Sequence, residues 1–358
     1  MAYTTIDDPS AYFQNNAYTG NGSSGLSITN GGNSDLQPDL LWIMPRSNGD
    51  HGFAIDSGRG EIKKLKLNEN EAESENDPAL ITFESDGFDL DTTDTGLNGS
   101  SRTYVAWQWV ANAGSSNASA AESGSNVAYN FQVNTTSKFM INFYTGTGSD
   151  ATLNMGNHFT PQFLIIKNRD DTDSWAVYHH KNTSDPDTDF LVLNTTAATV
   201  DDATYWFDTN FAADEINIGT SHTVNADGQK YICYAWAEVQ GYSKFGSYIG
   251  NADNDGPFVY TGFSPAWIMI KRTDSSTNGN WWIHDIKRTI YNISDDTLKA
   301  DTNTAEVSSS DQYLDFLSNG FKCKNGNSSQ NANGGTYVYA AFAEQPFVTS
   351  GGVPCTAR

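Results

Sequence analysis

Basic residues are scarce in this chain of 358 residues: 20 Lys and Arg stand against 43 Asp and Glu, a formal net charge of −23. A surface that acidic repels phosphate backbones, so nucleic acid is excluded as a partner, and it repels anionic membrane surfaces as well. In salty water the self-repulsion is screened, and the charge favours solubility. Long apolar runs are absent too. None approaches the roughly 18 residues of a spanning helix, so no membrane insertion is expected. The N-terminus, MAYTTIDDPSAYF, has neither the basic start nor the apolar stretch of a secretory signal. Cysteine is rare: Cys233, Cys323 and Cys355, an odd count without repeated spacing, argue against a disulfide framework or a zinc site. The eight N-x-[ST] triplets, among them Asn21, Asn134 and Asn292, read as products of an Asn/Ser/Thr-rich composition rather than as glycan acceptors.

Catalytic signatures are missing as well. There is no G-x-S-x-G elbow, no H-E-x-x-H and no phosphate loop. His179 and His180 follow an apolar run and read as a solvated loop start. NADNDG, residues 251–256, resembles the opening of a calcium loop. It begins with Asn251, however, and places Gly262 where the bidentate Glu is required. DDTD at 170–173 and DPDTD at 185–189 read as turns. No pair of carboxylates stands out for glycoside hydrolysis. The expectation is a non-enzyme with no catalytic, cofactor or metal residues.

What the chain does have is aromatic mass: nine Trp, 17 Tyr and 19 Phe among many Asn, Ser, Thr, Asp and Gly. Small polar residues compete with a helical backbone. Aromatics bounded by such residues read as short strands and turns. The length suits two or three domains rather than one.

An internal repeat sharpens this. A Pro-led apolar strand occurs as PDLLWIMPRS from Pro38, PQFLIIKNRDD from Pro161 and PAWIMIKRTD from Pro265, with Ile43, Ile166 and Ile270 in one column. A Tyr-x-Gly lead-in precedes each, at Tyr18, Tyr144 and Tyr248. A Tyr-rich strand follows each, from Tyr104, Tyr231 and Tyr337, with Trp109, Trp236 or Phe342 five residues further on. The spacing predicts an all-β chain of three tandem antiparallel β-sandwich repeat units, jelly-roll-like. The expected boundaries are an N-terminal arm or anchor (1–16), repeat 1 (17–111), a Ser/Ala/Gly-rich spacer and connection (112–137), repeat 2 (138–245), repeat 3 (246–347) and a C-terminal tail (348–358).

The second strand of each repeat, aligned by its aromatics, is GFAI from Gly52, SWAV from Ser174 and NWWI from Asn280. Phe53, Trp175 and Trp281 then share a column with Ile55, Val177 and Ile283 two residues on. Alternation puts both columns on one face, expected to be the core of each sandwich. Trp282 falls in the opposite column, where the other copies have Ala54 and Ala176, beside His284 on the same face. A large aromatic on an outer face predicts an interface with a neighbouring unit or subunit, or a ligand platform. Trp282 and His284 are the interface or ligand candidates.

DDPSAYFQNNAYTGNG, NSDLQPDLLWI, QGYSKFGSYIGN, GFSPAWIMIKRTD, FLSNGFK, GGTYVYAAFAE and the VPCTAR ending carry a resemblance over nearly the whole chain. It resembles an uncharacterised repeat domain of tail-fibre-like virion structural proteins of marine phages. The first repeat departs from the pattern with Met44-Pro45 in a column otherwise basic. The resemblance implies a virion protein, assembled in the host cytoplasm. The expected role is a tail fibre or spike component that mediates host attachment through protein or glycan contacts. Capsid decoration or a head fibre is the alternative, and a carbohydrate-degrading fibre enzyme or a lectin-like module a further one. It implies other virion proteins as partners, self-association with a homotrimer favoured, and a host surface glycan or protein as target. It transfers no catalytic residue.

Overall fold

In the computed structural model the described residues are 2–75, 80–115, 117–124, 126–154, 158–209, 211, 215–308 and 311–356. Short antiparallel strands, joined by polar turns, dominate them. The first set is β1 Phe13–Thr19, β2 Leu26–Thr29, β3 Leu40–Pro45, β4 Phe53–Asp56, β5 Lys63–Lys66, β6 Ser74–Glu75, β7 Ile81–Glu84, β8 Gly87–Leu90 and β9 Thr103–Trp109. It forms a six-stranded sheet, β1-β9-β3-β4-β5-β6, and a small sheet, β2-β8-β7. The second set is β10 Ala118–Ala120, β11 Tyr129–Asn134, β12 Phe139–Thr145, β13 Ala151–Asn154, β14 Phe163–Asn168, β15 Trp175–His179, β16 Asp189–Val192, β17 Val200–Asp201, β18 Glu215–Ile218 and β19 Lys230–Trp236. Its sheets are β10-β11-β12-β19-β14-β15-β16-β17 and β13-β18. The third set is β20 Ser243–Ile249, β21 Phe258–Tyr260, β22 Phe263–Arg272, β23 Trp281–Asp285, β24 Asp296–Lys299, β25 Val307–Ser308, β26 Leu314–Leu317, β27 Gly320–Cys323 and β28 Thr336–Pro346. Its sheets are β20-β28-β22-β23-β24-β25 and β21-β27-β26.

The fold is all-β and sandwich-type. The small sheet of each set packs on the large one over apolar side chains: Ile28, Phe88 and Leu90 against Ile43 and Ile55 in the first, and Leu153, Ile216 and Ile218 against Leu164 and Ile166 in the second. We call each such pair of sheets a lobe. Ile43, Ile166 and Ile270 pair with Ala106, Cys233 and Tyr339, each two residues past the leading Tyr of its strand, so the three hold one register.

The repeated Tyr and Gly residues have a common local cause. Tyr18, Tyr144 and Tyr248 stack on Tyr104, Tyr231 and Tyr337 with ring centroids 5.1, 5.1 and 5.0 Å apart. The hydroxyls of Tyr104, Tyr231 and Tyr337 each donate to the first carbonyl of a one-turn helix, α1 Thr95–Asn98, α2 His222–Asn225 or α3 Ser328–Asn331. Each hydroxyl also accepts from the amide just past that helix, at Gly99, Ala226 or Ala332. The glycine of the lead-in runs close beneath the same turn. A Cβ on Gly20, Gly146 or Gly250 would lie 2.4, 2.2 or 2.2 Å from the carbonyl oxygen of Gly99, Ala226 or Ala332. A side chain there would displace the turn.

Three expectations need correction. Residues 13–16, expected in an N-terminal arm or anchor outside the sandwiches, belong to β1 and pair with β9, and the preceding segment packs on the rest of the chain: Thr4 Oγ1 donates to Gln240 O at 2.7 Å and Tyr3 OH to Gly262 O at 2.7 Å. The spacer at 112–137 supplies β10 and β11, which extend the second large sheet. The alignment of β4 was displaced by one residue. Phe53 pairs with Ile43 as Ala176 pairs with Ile166 and Trp282 with Ile270. A slip of one residue reverses every facing, so Phe53 lies in its own sandwich and Gly52 stands where Trp175 and Trp281 stand.

Candidate functional site: the junction of the three lobes

The outer faces of the large sheets do not meet solvent at the centre of the molecule. One cluster of buried residues draws on all three lobes, including Trp42, Trp107 and Trp109, Phe163, Trp175 and Trp236, and Trp267, Trp281 and Phe342. At its middle the aromatics five residues past each leading Tyr touch one another: Trp109–Trp236 at 6.0 Å, Trp109–Phe342 at 5.5 Å and Trp236–Phe342 at 6.4 Å between centroids. Residues at equivalent register positions of the three lobes thus meet pairwise. Phe13 lies against Trp109 and Phe342 at 5.1 and 5.2 Å. Such rings bury roughly 150–250 Å² each, which explains the aromatic composition.

Trp175 and Trp281 serve this junction rather than their own sandwiches, correcting the expected facing. The Trp175 indole N–H donates to Lys66 O of lobe 1 at 2.9 Å, and that of Trp281 to Val192 O of lobe 2 at 2.8 Å.

Between lobes 1 and 2 the seam is ionic. Arg59 is bound to Asp56 (2.5 Å) and Glu73 (2.9 Å), and Arg169 of lobe 2 grips Glu73 through two nitrogens at 3.0 and 2.9 Å. Tyr234 OH of lobe 2 donates to Asp56 at 2.7 Å. The seam between lobes 3 and 1 repeats this pattern. Arg288 binds Asp285 (2.5 Å) and Glu306 (3.1 Å), Arg46 of lobe 1 binds Glu306 at 2.7 Å, and Trp107 Nε1 donates to Asp285 at 3.1 Å. The side chains of Arg59, Asp56, Arg288 and Asp285 are fully buried. Burial alone would raise Glu73, but the guanidiniums of Arg169 and Arg59 outweigh it and bring its carboxyl to about 2.

The seam between lobes 2 and 3 uses the same positions without ions. His179 stands where Asp56 and Asp285 stand, by register, opposite Phe163. Its Nε2 donates to Tyr339 O at 3.1 Å and its Nδ1 accepts from Lys181 N at 3.1 Å, which specifies the neutral ring. Burial, with His180 beside it, pushes His179 down to about 3. Asn182 takes the place of the arginines and accepts from Thr199 Oγ1 at 2.6 Å. The backbone bond is common to all three seams: Glu73 N to Arg169 O, Glu306 N to Arg46 O and Thr199 N to Thr273 O, at 2.8, 2.8 and 2.9 Å. His179 is thus no solvated loop residue, and His180 bonds Phe245 O at 2.6 Å.

Trp282 and His284 face the interior of lobe 3, opposite in facing to Trp281 and Ile283, which join the junction cluster. Trp282 is only 6% exposed, so its ring offers no open platform, and Lys299 Nζ sits 4.8 Å from its centroid. His284 is fully buried between Gln330 Nε2 (2.6 Å) and Ser294 Oγ (3.5 Å). These partners lie in the same lobe, so the expected contact with an adjacent unit is corrected: the parity of β23 turns both side chains inward. Cys233 and Cys323 are buried thiols and Cys355 is half-buried. Asp255 pairs with Lys322. Among the described residues no group of three His, Cys, Asp or Glu is placed to hold a metal, and no helix is long and apolar enough to cross a membrane.

Sequence reading missed two sets of residues. The ionic seams are announced by Asp-x-x-Arg at 56–59 and 285–288, directly after the second strand of lobes 1 and 3. Fully buried Asn98, Asn225 and Asn331, each six residues before the leading Tyr, accept from Asn21 N, Thr147 N and Asn251 N at 2.9, 2.8 and 2.8 Å. A constant N-x5-Y spacing would have found them.

No curated protein and no solved structure shows significant similarity to the chain. One family model matches residues 8–346 in a single span that takes in all three lobes and the junction between them. The chain therefore belongs to the family described as a domain of unknown function, DUF7483.

Proposed function

We propose that this chain is a structural component of a phage virion, a tail fibre or spike part that mediates host attachment through protein or glycan contacts. The resemblance of its repeat segments to tail-fibre-like proteins of marine phages motivates the reading. The observation that carries it is the junction: three lobes turn buried aromatic and ionic surfaces towards one another and leave their small sheets outermost. That organisation suits a rigid body presenting three similar faces around one axis, as a symmetric virion attachment would use. Capsid decoration is the second reading, favoured by the same three-lobed form, which would match a threefold position on a shell. In this proposal the protein is not an enzyme, and its partners are other virion proteins.

The test is placement. Antibody against the purified chain, imaged on intact particles by electron microscopy, should label the tail tip or fibres. Label confined to the head selects capsid decoration, and absence of the chain from purified particles overturns both readings. Purified chain should also compete with particles for adsorption to the host.

A further inference from the structure

The first strand of each small sheet is an edge strand, and these three equivalent edges are treated differently. In lobe 1 the edge is β2, whose outward positions Ser27 and Thr29 are polar. Asn16 Nδ2 donates to Thr29 O at 3.2 Å and covers it. In lobe 2 the edge is β13, with Thr152 and Asn154 at the same register. The chain runs alongside it, with Val127 N donating to Thr152 O at 3.0 Å in a parallel bridge. In lobe 3 the edge is β21. Register against β27 places Phe258 and Tyr260 where lobe 1 has Ser27 and Thr29. They are 47% and 53% exposed, on either side of buried Val259.

Their backbone is open as well. Val259 O points at β27, because a Cβ on Gly320 would sit 2.0 Å from it, just as one on Gly87 would sit 2.0 Å from Ile28 O in lobe 1. The amides and carbonyls of Phe258 and Tyr260 therefore point outward. Among the described residues none bonds to them; the Tyr260 hydroxyl alone is engaged, 3.1 Å from that of Tyr3. An open edge carrying exposed aromatics is the feature that proteins ordinarily suppress with charge, proline or a covering segment; lobe 1 carries polar residues there and caps one carbonyl, and lobe 2 runs a chain segment alongside.

We infer that β21 is a docking edge for a second copy of this chain, joined strand to strand in antiparallel fashion. Two observations select that occupant. The edge is self-complementary: a twofold axis at Val259 sets Phe258 of one copy opposite Tyr260 of the other, with both outward amides and carbonyls paired and aromatic side chains adjacent on the outer face. The flanking charges also cancel locally, Asp255 against Lys322 and Lys324 against Asp315 at 3.7 Å. With exposed Asp253 beside them the patch is close to neutral in a chain of −23, so it holds little attraction for a basic partner and little repulsion for its own copy. Because a twofold contact uses the same edge of both copies, it closes as a dimer and does not propagate. The inference stands apart from the virion reading, which could fail without it.

Sedimentation equilibrium of the full chain tests it. We expect a reversible dimer with a dissociation constant on the order of 10–100 μM, the class of small transient interfaces. It should persist at about 0.5 M salt, since backbone pairing is not screened. Tyr260→Pro removes one outward amide and leaves the ladder to β27 intact. The double change Phe258→Thr with Tyr260→Asn installs the kind of residues lobes 1 and 2 carry. Each should weaken dimerisation at least tenfold while the thermal melt stays that of the parent. If Tyr260→Pro fails to fold, the double variant decides. If both fail, hydrogen exchange on the parent decides, because the Phe258 and Tyr260 amides should slow as concentration rises. A parent that stays monomeric to about 1 mM, a dimer that both variants leave unchanged, or amides indifferent to concentration overturns the inference.

Discussion

Two seams of this molecule are closed by buried ions and the third, at the same positions, by neutral groups. Lobe 1 meets lobe 2 through Asp56, Arg59, Glu73 and Arg169, and lobe 3 meets lobe 1 through Asp285, Arg288, Glu306 and Arg46. Lobe 2 meets lobe 3 through His179, Asn182, Thr199 and Thr273. The backbone bond and the aromatic junction are common to all three. The shared elements thus bring the lobes together, and the ions are one of two ways to fill the polar positions left over. That agrees with the general behaviour of buried ion pairs, whose desolvation offsets most of their attraction.

The comparison breaks most sharply when one partner of an ionic seam is removed. Arg59→Ala leaves Asp56 buried without its cation, while Glu73 keeps Arg169, and should destabilise by about 3–5 kcal/mol in a denaturant titration. Arg288→Ala should match it. Asn182→Ala, the equivalent change in the neutral seam, removes one ordinary hydrogen bond and should cost about 1 kcal/mol. Equal costs for Arg59→Ala and Asn182→Ala would mean that the ions are not buried as described. Trp236→Ala acts on the element shared by all seams, and loss of its ring with the cavity left behind should cost about 3–5 kcal/mol. A cost below about 1 kcal/mol would place that ring outside the packed junction.

Acid should act on both kinds of seam in different windows. His179 is neutral in the folded chain and titrates near 3, against about 6.5 unfolded. As pH falls below about 6.5 the unfolded chain takes up a proton that the folded chain refuses, so stability is lost from there down to about 3. His284, also near 3 through burial and the neighbouring Arg288, adds to the same window. Glu73, near 2 when folded and about 4.3 unfolded, contributes stability that is full above about 4.3 and is lost as pH falls to about 2. His179→Gln keeps a donor for Tyr339 O and should make the decline shallower from about pH 6.5 to about 3, leaving the parts that belong to His284 and Glu73. Melting temperatures across that range check the sign. A decline unchanged by His179→Gln, in the presence of His284, would show that His179 is charged when folded.

Much of the fold was legible because its landmarks are local. A Tyr-x-Gly lead-in, a Pro-led strand and a Tyr-rich strand each fill a backbone role with few substitutes, and the Tyr stacks and close-approach glycines show which. Facing was less legible. Large sheets buried on both faces do not alternate apolar with polar, so β4 offered no parity signal, and aligning it by aromatics slipped it one residue. Counting from the fixed isoleucine would have caught this, because Phe53 and Ala176 both lie ten positions on from Ile43 and Ile166. Trp282 and His284 were misplaced by the same reading. The seam ions were legible only at their Asp-x-x-Arg ends: Arg59 and Glu73 of one lobe are 14 residues apart, Glu73 and Arg169 are 96 apart, and only the packing of lobe 1 on lobe 2 brings Arg169 to the pair.

The smallest effect is expected from converting one kind of seam into the other. His179→Asp, Asn182→Arg, Thr199→Glu and Thr273→Arg together write the ionic pattern into the seam between lobes 2 and 3. Each new side chain takes a position whose backbone geometry already holds that residue type elsewhere in the molecule. The desolvation of four charges opposes their mutual attraction, and the balance is commonly near zero. We therefore expect stability at neutral pH to change by less than about 1 kcal/mol, although a lone charge at any of the three buried positions, 179, 182 and 273, should destabilise by several times that. The converted seam should also lose the acid sensitivity that begins near pH 6.5 at His179 and gain one below about pH 4.3, as at Glu73. A fourfold variant as unstable as its single members would show that the three seams are not geometrically equivalent.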